Sequence, residues 1–154
     1  MLQPLDPRTV WLWRLSLAVR SLGFAVAVFV LSRLRDGWFA ALPLAVGILV
    51  LGLVLAAFWP PVRYRCWGFR LRDDDLFVRR GVLWRTTSVI PHTRIQHVDM
   101  RQGPIERWLG LASVVVFTAG IRGAELSIPG LAVPEAEALR ERLSTLGGRG
   151  GDAV

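Results

Sequence analysis

Apolar and polar positions divide the chain into two regimes. The run 38-WFAALPLAVGILVLGLVLAAFW-59 carries no charge. Its apolar stretch of about 20 residues, at ~1.5 Å each, covers the ~30 Å of a bilayer's hydrocarbon core. Trp38 and Trp59 are expected at the two interfaces, where an indole is half apolar and half wet. Pro43 falls in the first turns and Pro60-Pro61 is expected to end the helix. A buried core helix would read the same way, but a chain of 154 residues has too little mass to surround it. A second span is expected at about 15–34. Its clean part, 21-SLGFAVAVFVLS-32, is short, so it must extend back past Arg20, whose stem can reach toward the headgroups. Trp11 and Trp13 then lie at that interface. A cleaved signal peptide is the rival reading, yet the residues that follow, 33-RLRDG-37, offer no small-residue cleavage pattern.

From Pro61 on, short β-like runs alternate with turn signals: 62–71, 75–80, 82–90, 94–101, 112–118 and 124–128. Gly81 marks the turn between the second and third. Val114–Phe117 is apolar on both faces, as in a doubly buried strand, whereas Glu125-Leu126-Ser127-Ile128 alternates. Two helices interrupt the strands. In 103-GPIERWLG-110, Pro104 suits the first turn and Gly110 the C-terminal cap, with Ile105, Trp108 and Leu109 on one side. In 134-PEAEALRERLSTLGG-148, Ala136, Leu139, Leu143 and Leu146 form one apolar stripe and Gly147 is expected to stop the helix. The pattern predicts a cytoplasmic N-terminal segment (1–13), a transmembrane hairpin (14–60), a mainly-β domain (61–146) and a disordered tail (147–154). The β domain is expected to be a small barrel or sandwich with the helix closing one end.

Composition supports the membrane reading. Hydrophobic residues make up 53% and charged ones 20%, too apolar for a plain soluble domain. The net charge of +7 comes entirely from arginine on the basic side, and many of those arginines flank the spans. Arg8, Arg14 and Arg20 precede or enter the first span. Arg63, Arg65, Arg70 and Arg72 follow the second, against Arg33 and Arg35 in the connecting loop. The positive-inside rule therefore places both ends in the cytoplasm and the short loop outside. Arg63 and Arg65 join Trp11, Trp13, Trp38 and Trp59 as interface anchors. The lone Cys66 excludes an intrachain disulfide and reads as a buried thiol.

Both histidines lie in 91-PHTRIQHVDMR-101, with Asp99 two residues after His97. Metal binding fits poorly, because about three ligands must converge and an extended strand sends His92 and His97 to opposite faces. Neither Ser88 nor Ser113 stands in a nucleophile elbow. No enzyme activity, metal or cofactor is expected.

The pieces 91-PHTRIQHV-98, 102-QGP-104, 110-GLA-112 and 118-TAG-120, in that order and spacing, resemble the bacterial pleckstrin-homology (PH) domain membrane proteins of the YdbS-like type. The resemblance covers 62–145 strongly and extends over the preceding hairpin. It implies a PH-like barrel of two packed antiparallel sheets with a C-terminal capping helix, held at the cytoplasmic face of the bacterial inner membrane and without enzymatic activity. Arg94, Gln96, His97, Asp99, Arg107 and Trp108 are then candidate contacts to a partner protein or a lipid. A structural hydrogen bond from Arg94 to a nearby carbonyl, Asp99 or Glu106 is the plainer reading.

In lipid-binding PH domains, basic residues surround the first strand-to-strand loop. Here that loop, 70-RLRDDDLFVRR-80, places Asp73-Asp74-Asp75 where a headgroup would go, so no specific phosphoinositide is expected. Nucleic acid is disfavoured as well, since 61–154 holds fourteen arginines against ten acidic residues and no basic helix. The expected role is a scaffold or accessory subunit binding another membrane or envelope protein, or the chain itself. A sensor of the anionic membrane surface in envelope stress is the second reading.

Overall fold

The computed structural model describes residues 2–34, 38–119 and 125–149. Val10–Val62 form one compact unit, and Met1–Thr9 with Arg63–Val154 form another.

The Val10–Val62 unit is built from α1 (Thr9–Leu34) and α2 (Trp38–Arg65). Both helices are long and apolar enough to cross a membrane, and they expose large side chains such as Leu22, Phe24, Leu31, Leu51 and Phe58. A soluble core helix hides such residues, whereas a bilayer covers them. The helices meet where residues are small. A Cβ on Gly52 would run into the Ser21 hydroxyl, and Ala25, Ala45 and Ala56 are buried.

Two boundaries differ from the sequence reading. α1 starts at Thr9 instead of near Leu15, which places Trp11 and Trp13 in its first turns. Asp6 prepares that start: its Oδ1 accepts the Arg8 backbone N–H at 2.8 Å and its carbonyl accepts the Thr9 N–H at 2.9 Å. α2 runs through Pro60 and Pro61 to Arg65. Pro61 has no N–H to offer the Ala57 carbonyl, and the Arg14 guanidinium donates to that carbonyl in its place at 3.4 Å. Arg14 also lies over the Trp11 ring at 5.1 Å. Trp59 is partly exposed and Arg63 and Arg65 fill the last turn of α2, at the negative end of its dipole. Trp38 opens α2, while 35–37 lie outside the described residues.

The second unit holds two three-stranded antiparallel sheets: β1 (Gly68–Leu71), β2 (Asp75–Arg80) and β3 (Thr86–Pro91); and β4 (Ile95–Arg101), β5 (Leu111–Thr118) and β6 (Glu125–Ala132), each in sequential order. They are not closed into the expected barrel: among the described residues no ladder joins them. The chain leaves the first sheet at Pro91, makes a single 3-10 turn (His92–Arg94) and enters the second at Ile95. β1 is shorter than expected because α2 has taken 62–65. β3 starts at Thr86, not Val82, because Gly81–Arg85 form a close loop. Gly81 has φ 111°, and a Cβ there would meet the Trp84 carbonyl. A short helix, α3 (Pro104–Leu109), precedes β5, and α4 (Val133–Arg149) follows β6. α4 does not stop at Gly147. That glycine lets the helix approach Ile95, where a Cβ would lie 3.3 Å from the Ile95 side chain. The remainder of the expected tail, 150–154, is outside the described residues.

Alternation along the strands builds the core. Leu76 and Val78 of β2, Val114 and Val116 of β5 and Ile128 of β6 are fully buried, and Ala136 and Leu143 of α4 close over them. Residues preceding α1 join this unit. Gln3 forms an antiparallel bridge with Phe69, with N–H to carbonyl distances of 2.8 and 3.1 Å, and Leu5 is 1% exposed. Thr9, fully buried, donates its hydroxyl to the Gly130 carbonyl at 2.8 Å, which also accepts the Asp6 N–H at 3.0 Å.

Gly130 has φ 66°, and a Cβ there would strike the Thr9 side chain. Gly130→Ala is expected to cost about 2–4 kcal/mol, from left-handed strain plus overpacking. Gly148→Ala, in open space on α4, is expected to stabilise by about 0.5–1 kcal/mol. Thermal unfolding of the full chain in micelles, followed by near-ultraviolet circular dichroism, checks both. The Asp6 carboxylate also binds the Arg8 guanidinium at 2.9 and 3.0 Å, which holds its pKa below the usual carboxylate value. A lowered pKa gives stability that is present above about pH 3.9 and is lost as pH falls through the folded value. Asp6→Asn should therefore lower the melting temperature at pH 7, by about 1 kcal/mol equivalent. The gap to the parent should close in acid; an equal gap at all pH values would contradict an ionic contribution.

Candidate functional site

The motif residues divide between a corner and an edge strand. The corner is the 3-10 turn between the sheets. His92 is 5% exposed there, and its Nε2–H donates to the Arg72 carbonyl at 2.9 Å while its backbone N–H donates to the Asp74 carbonyl at 3.2 Å. That bonding fixes the Nε2-protonated tautomer and ties the corner to the β1–β2 turn. His92 is thus a structural post. Arg94 follows on the surface, where its backbone carbonyl accepts the Ala119 N–H at 2.9 Å. Among the described residues its side chain has no hydrogen bond or ion pair, so the expected link to Asp99 or Glu106 is not formed. Glu106 is occupied otherwise: it accepts the Gly103 N–H and the Ser113 hydroxyl, each at 2.6 Å, pinning α3 to β5.

β4 is the outer strand of its sheet, and Gln96, His97 and Asp99 are exposed on it. A register shift between Ile95 and His97 brings His97 opposite Phe117, and the two rings stack at 4.2 Å. Asp99 lies opposite Val115 on the same face. Farther along, Arg101 pairs with Glu125 at 2.8 Å and covers the Phe117 ring at 5.6 Å. Stacking and cross-strand pairing account for His97. Neither histidine ring is hydrogen-bonded to a carboxylate or hydroxyl among the described residues, and no group of three possible metal ligands occurs there.

α3 ends as its sequence implies, with Pro104 in the first turn and Gly110 left-handed at φ 67°. Its apolar side is narrower than expected. Ile105 and Leu109 are half-buried, but Trp108 is 77% exposed, beside an exposed Arg107. The Leu109 carbonyl accepts a hydrogen bond from the Arg8 guanidinium at 3.1 Å.

The two candidate phosphate arms are far apart. Arg70 stands opposite Phe77, and Arg72 bridges Asp75 at 3.7 Å within the β1–β2 turn. Arg79 is paired with Gly68, at the other end of β2. The four arginines of 70–80 therefore do not converge on one point.

One concavity was not anticipated. Residues 3–7, β1 and α4 enclose an open groove of about 900 Å³. Phe69, Leu71, Leu139 and Leu146 provide its apolar surface; Arg72, Arg142, Asp73 and Glu135 are among its charged lining. The sequence signal was thin, because 2-LQPLDPRT-9 has neither helical nor strand periodicity to mark it as part of the domain.

Comparison with known proteins agrees with this architecture. The chain matches the bacterial PH domain family over residues 18–146. It is 30% identical over 146 residues to the UPF0699 transmembrane protein YdbS of Bacillus subtilis (strain 168), covering 92% of this chain and 90% of that protein. No solved structure matches. Two membrane-capable helices, paired antiparallel sheets, a C-terminal helix and these likenesses together make the chain a member of the bacterial PH-domain family, of the YdbS-like transmembrane type.

Proposed function

We propose that the chain is a non-enzymatic, membrane-anchored binding protein, a scaffold or accessory subunit that holds a segment of another membrane or envelope protein. The groove between residues 3–7, β1 and α4 carries this reading. Its volume suits several side chains of a peptide, its floor is apolar, and its lining carries both signs of charge. A polyphosphate would meet Asp73 and Glu135 as well as the arginines, so a polypeptide with its own mixed charges is the better occupant. The outer edge of β4, which no strand covers among the described residues, offers a second strip for the same partner, with Gln96 and Asp99 on β4 and Arg94 just before it. Arg107 and Trp108 are left for the membrane side.

Both ends of the helical hairpin lead into one compact unit, which supports placing them on the same side of the bilayer. The arginine excess at those ends favours the cytoplasm. Buried or stacked histidines, each with a structural explanation, favour binding over catalysis.

A photo-crosslinking amino acid at Ala138 or Arg142, in native membranes, tests the proposal. A defined protein adduct, lost with Leu139→Glu but kept with Glu137→Gln outside the groove lining, is expected. Recovery of only the chain itself and lipid would remove the partner reading.

A further inference from the structure

The largest exposed apolar side chains of the β-sheet unit are at two places. Leu83 and Trp84, 75% and 82% exposed, cap the β2–β3 loop; Trp108, 77% exposed, tips α3. Isolated leucines on a surface need no explanation, but two nearly bare tryptophans do. Register shows where they are. β1 starts at Gly68, just after α2 ends at Arg65, and Gly68 is paired with Arg79. The loop Gly81–Arg85 therefore projects from the end of the sheet at which the chain arrives from α2. Trp108 is located by a different contact. Its neighbour Leu109 accepts a hydrogen bond from Arg8, the residue before α1 begins at Thr9. Each tryptophan thus stands beside one of the two junctions between the domain and the spans. The junctions are themselves linked, since the Tyr64 hydroxyl donates to the Leu5 carbonyl at 2.6 Å.

Charge divides along the same axis. Arg79, Arg80 and Arg85 flank Leu83 and Trp84 along the chain, and Arg107 precedes Trp108. Asp73, Asp74 and Asp75 occupy the opposite end of the first sheet, in the β1–β2 turn. The first sheet is thus basic and aromatic at the end where β1 begins and acidic at the β1–β2 turn.

We infer that the domain is seated on the bilayer that its own helices cross, with Leu83-Trp84 and Trp108 entering the headgroup region as two separate prongs and Arg79, Arg80, Arg85 and Arg107 meeting anionic lipid. Indole is the side chain that best tolerates this half-apolar zone, and guanidinium pairs readily with lipid phosphate. This seating does not depend on the partner reading and would survive its failure.

The full chain tests it, one copy per nanodisc of phosphatidylglycerol and phosphatidylethanolamine with no other protein present. In a Cys66→Ser background, Trp84→Cys, Trp108→Cys and Gln96→Cys are labelled singly with an environment-sensitive fluorophore. Gln96 is the control, at the end of β4 remote from α3. A shallow doxyl lipid is expected to remove about half the emission at 84 and 108 and little at 96, as an interfacial depth requires. Aqueous iodide should do the reverse. Iodide quenching at 84 or at 108 equal to that at 96 would overturn the inference. Since each disc holds one copy, lipid quenching at both sites also rules out a second chain or another protein as what covers the tryptophans.

Discussion

The carbonyl of Gly130 ties the segment that precedes the first long helix into the β-sheet unit. It accepts one hydrogen bond from the Thr9 hydroxyl and one from the Asp6 backbone, in a fully buried position. Through them the residue that opens the first long helix is fastened to the last strand of the domain. A glycine is required at that point, because the backbone is left-handed and any side chain would occupy the space Thr9 fills. The Gln3–Phe69 bridge and the buried Leu5 extend the same attachment along the edge of the first sheet. The spans are accordingly not a simple anchor with a domain appended to one end. The domain is assembled from chain on both sides of them, and the groove exists because residues 3–7 form one of its walls.

The motif that identifies the family has a structural meaning. In 91-PHTRIQHV-98 the proline ends the first sheet, the next three residues make one 3-10 turn, and Ile95 opens the second sheet as a buried residue. His92 secures the turn from below by bonding to the Arg72 carbonyl. The bond satisfies the buried Nε2, and a histidine can reach a carbonyl across the turn where a shorter side chain could not. The motif therefore specifies how the chain changes sheets. Arg94, the last residue of the turn, and Gln96, just after it, are exposed.

Much of this was legible in the sequence, for physical reasons that can be named. An uncharged run of bilayer length admits few other readings, and Pro104 with Gly110 frames a short helix by local chemistry alone. Val114–Val116 declared itself a buried strand through its unbroken apolarity. What escaped was set by contacts distant in sequence. Pro60-Pro61 reads as a stop, yet Arg14 on the other helix supplies the donor that Pro61 lacks. Gly147 reads as a terminator, yet it serves close approach to Ile95. Val82-Leu83-Trp84 reads as the start of a strand, because β propensity says nothing about whether an apolar residue is buried or presented. The role of residues 3–7 was invisible for the same reason: their partners lie in β1 and β6, far along the chain.

The Thr9–Gly130 hydrogen bond joins residues 121 positions apart, and both helices lie between them. During synthesis the first helix is made, inserted and followed by the second well before β6 leaves the ribosome. Residues 2–9 must wait at the membrane surface with Leu5 and Thr9 unburied until the final strand is made. The N-terminal segment can therefore dock only after both helices and β6 have been synthesised. A newly made chain in which only one of the two helices crossed would leave residues 2–9 and their partner strands on opposite sides of the bilayer. It would keep an open groove wall and an exposed core, the features by which quality-control proteases select a substrate.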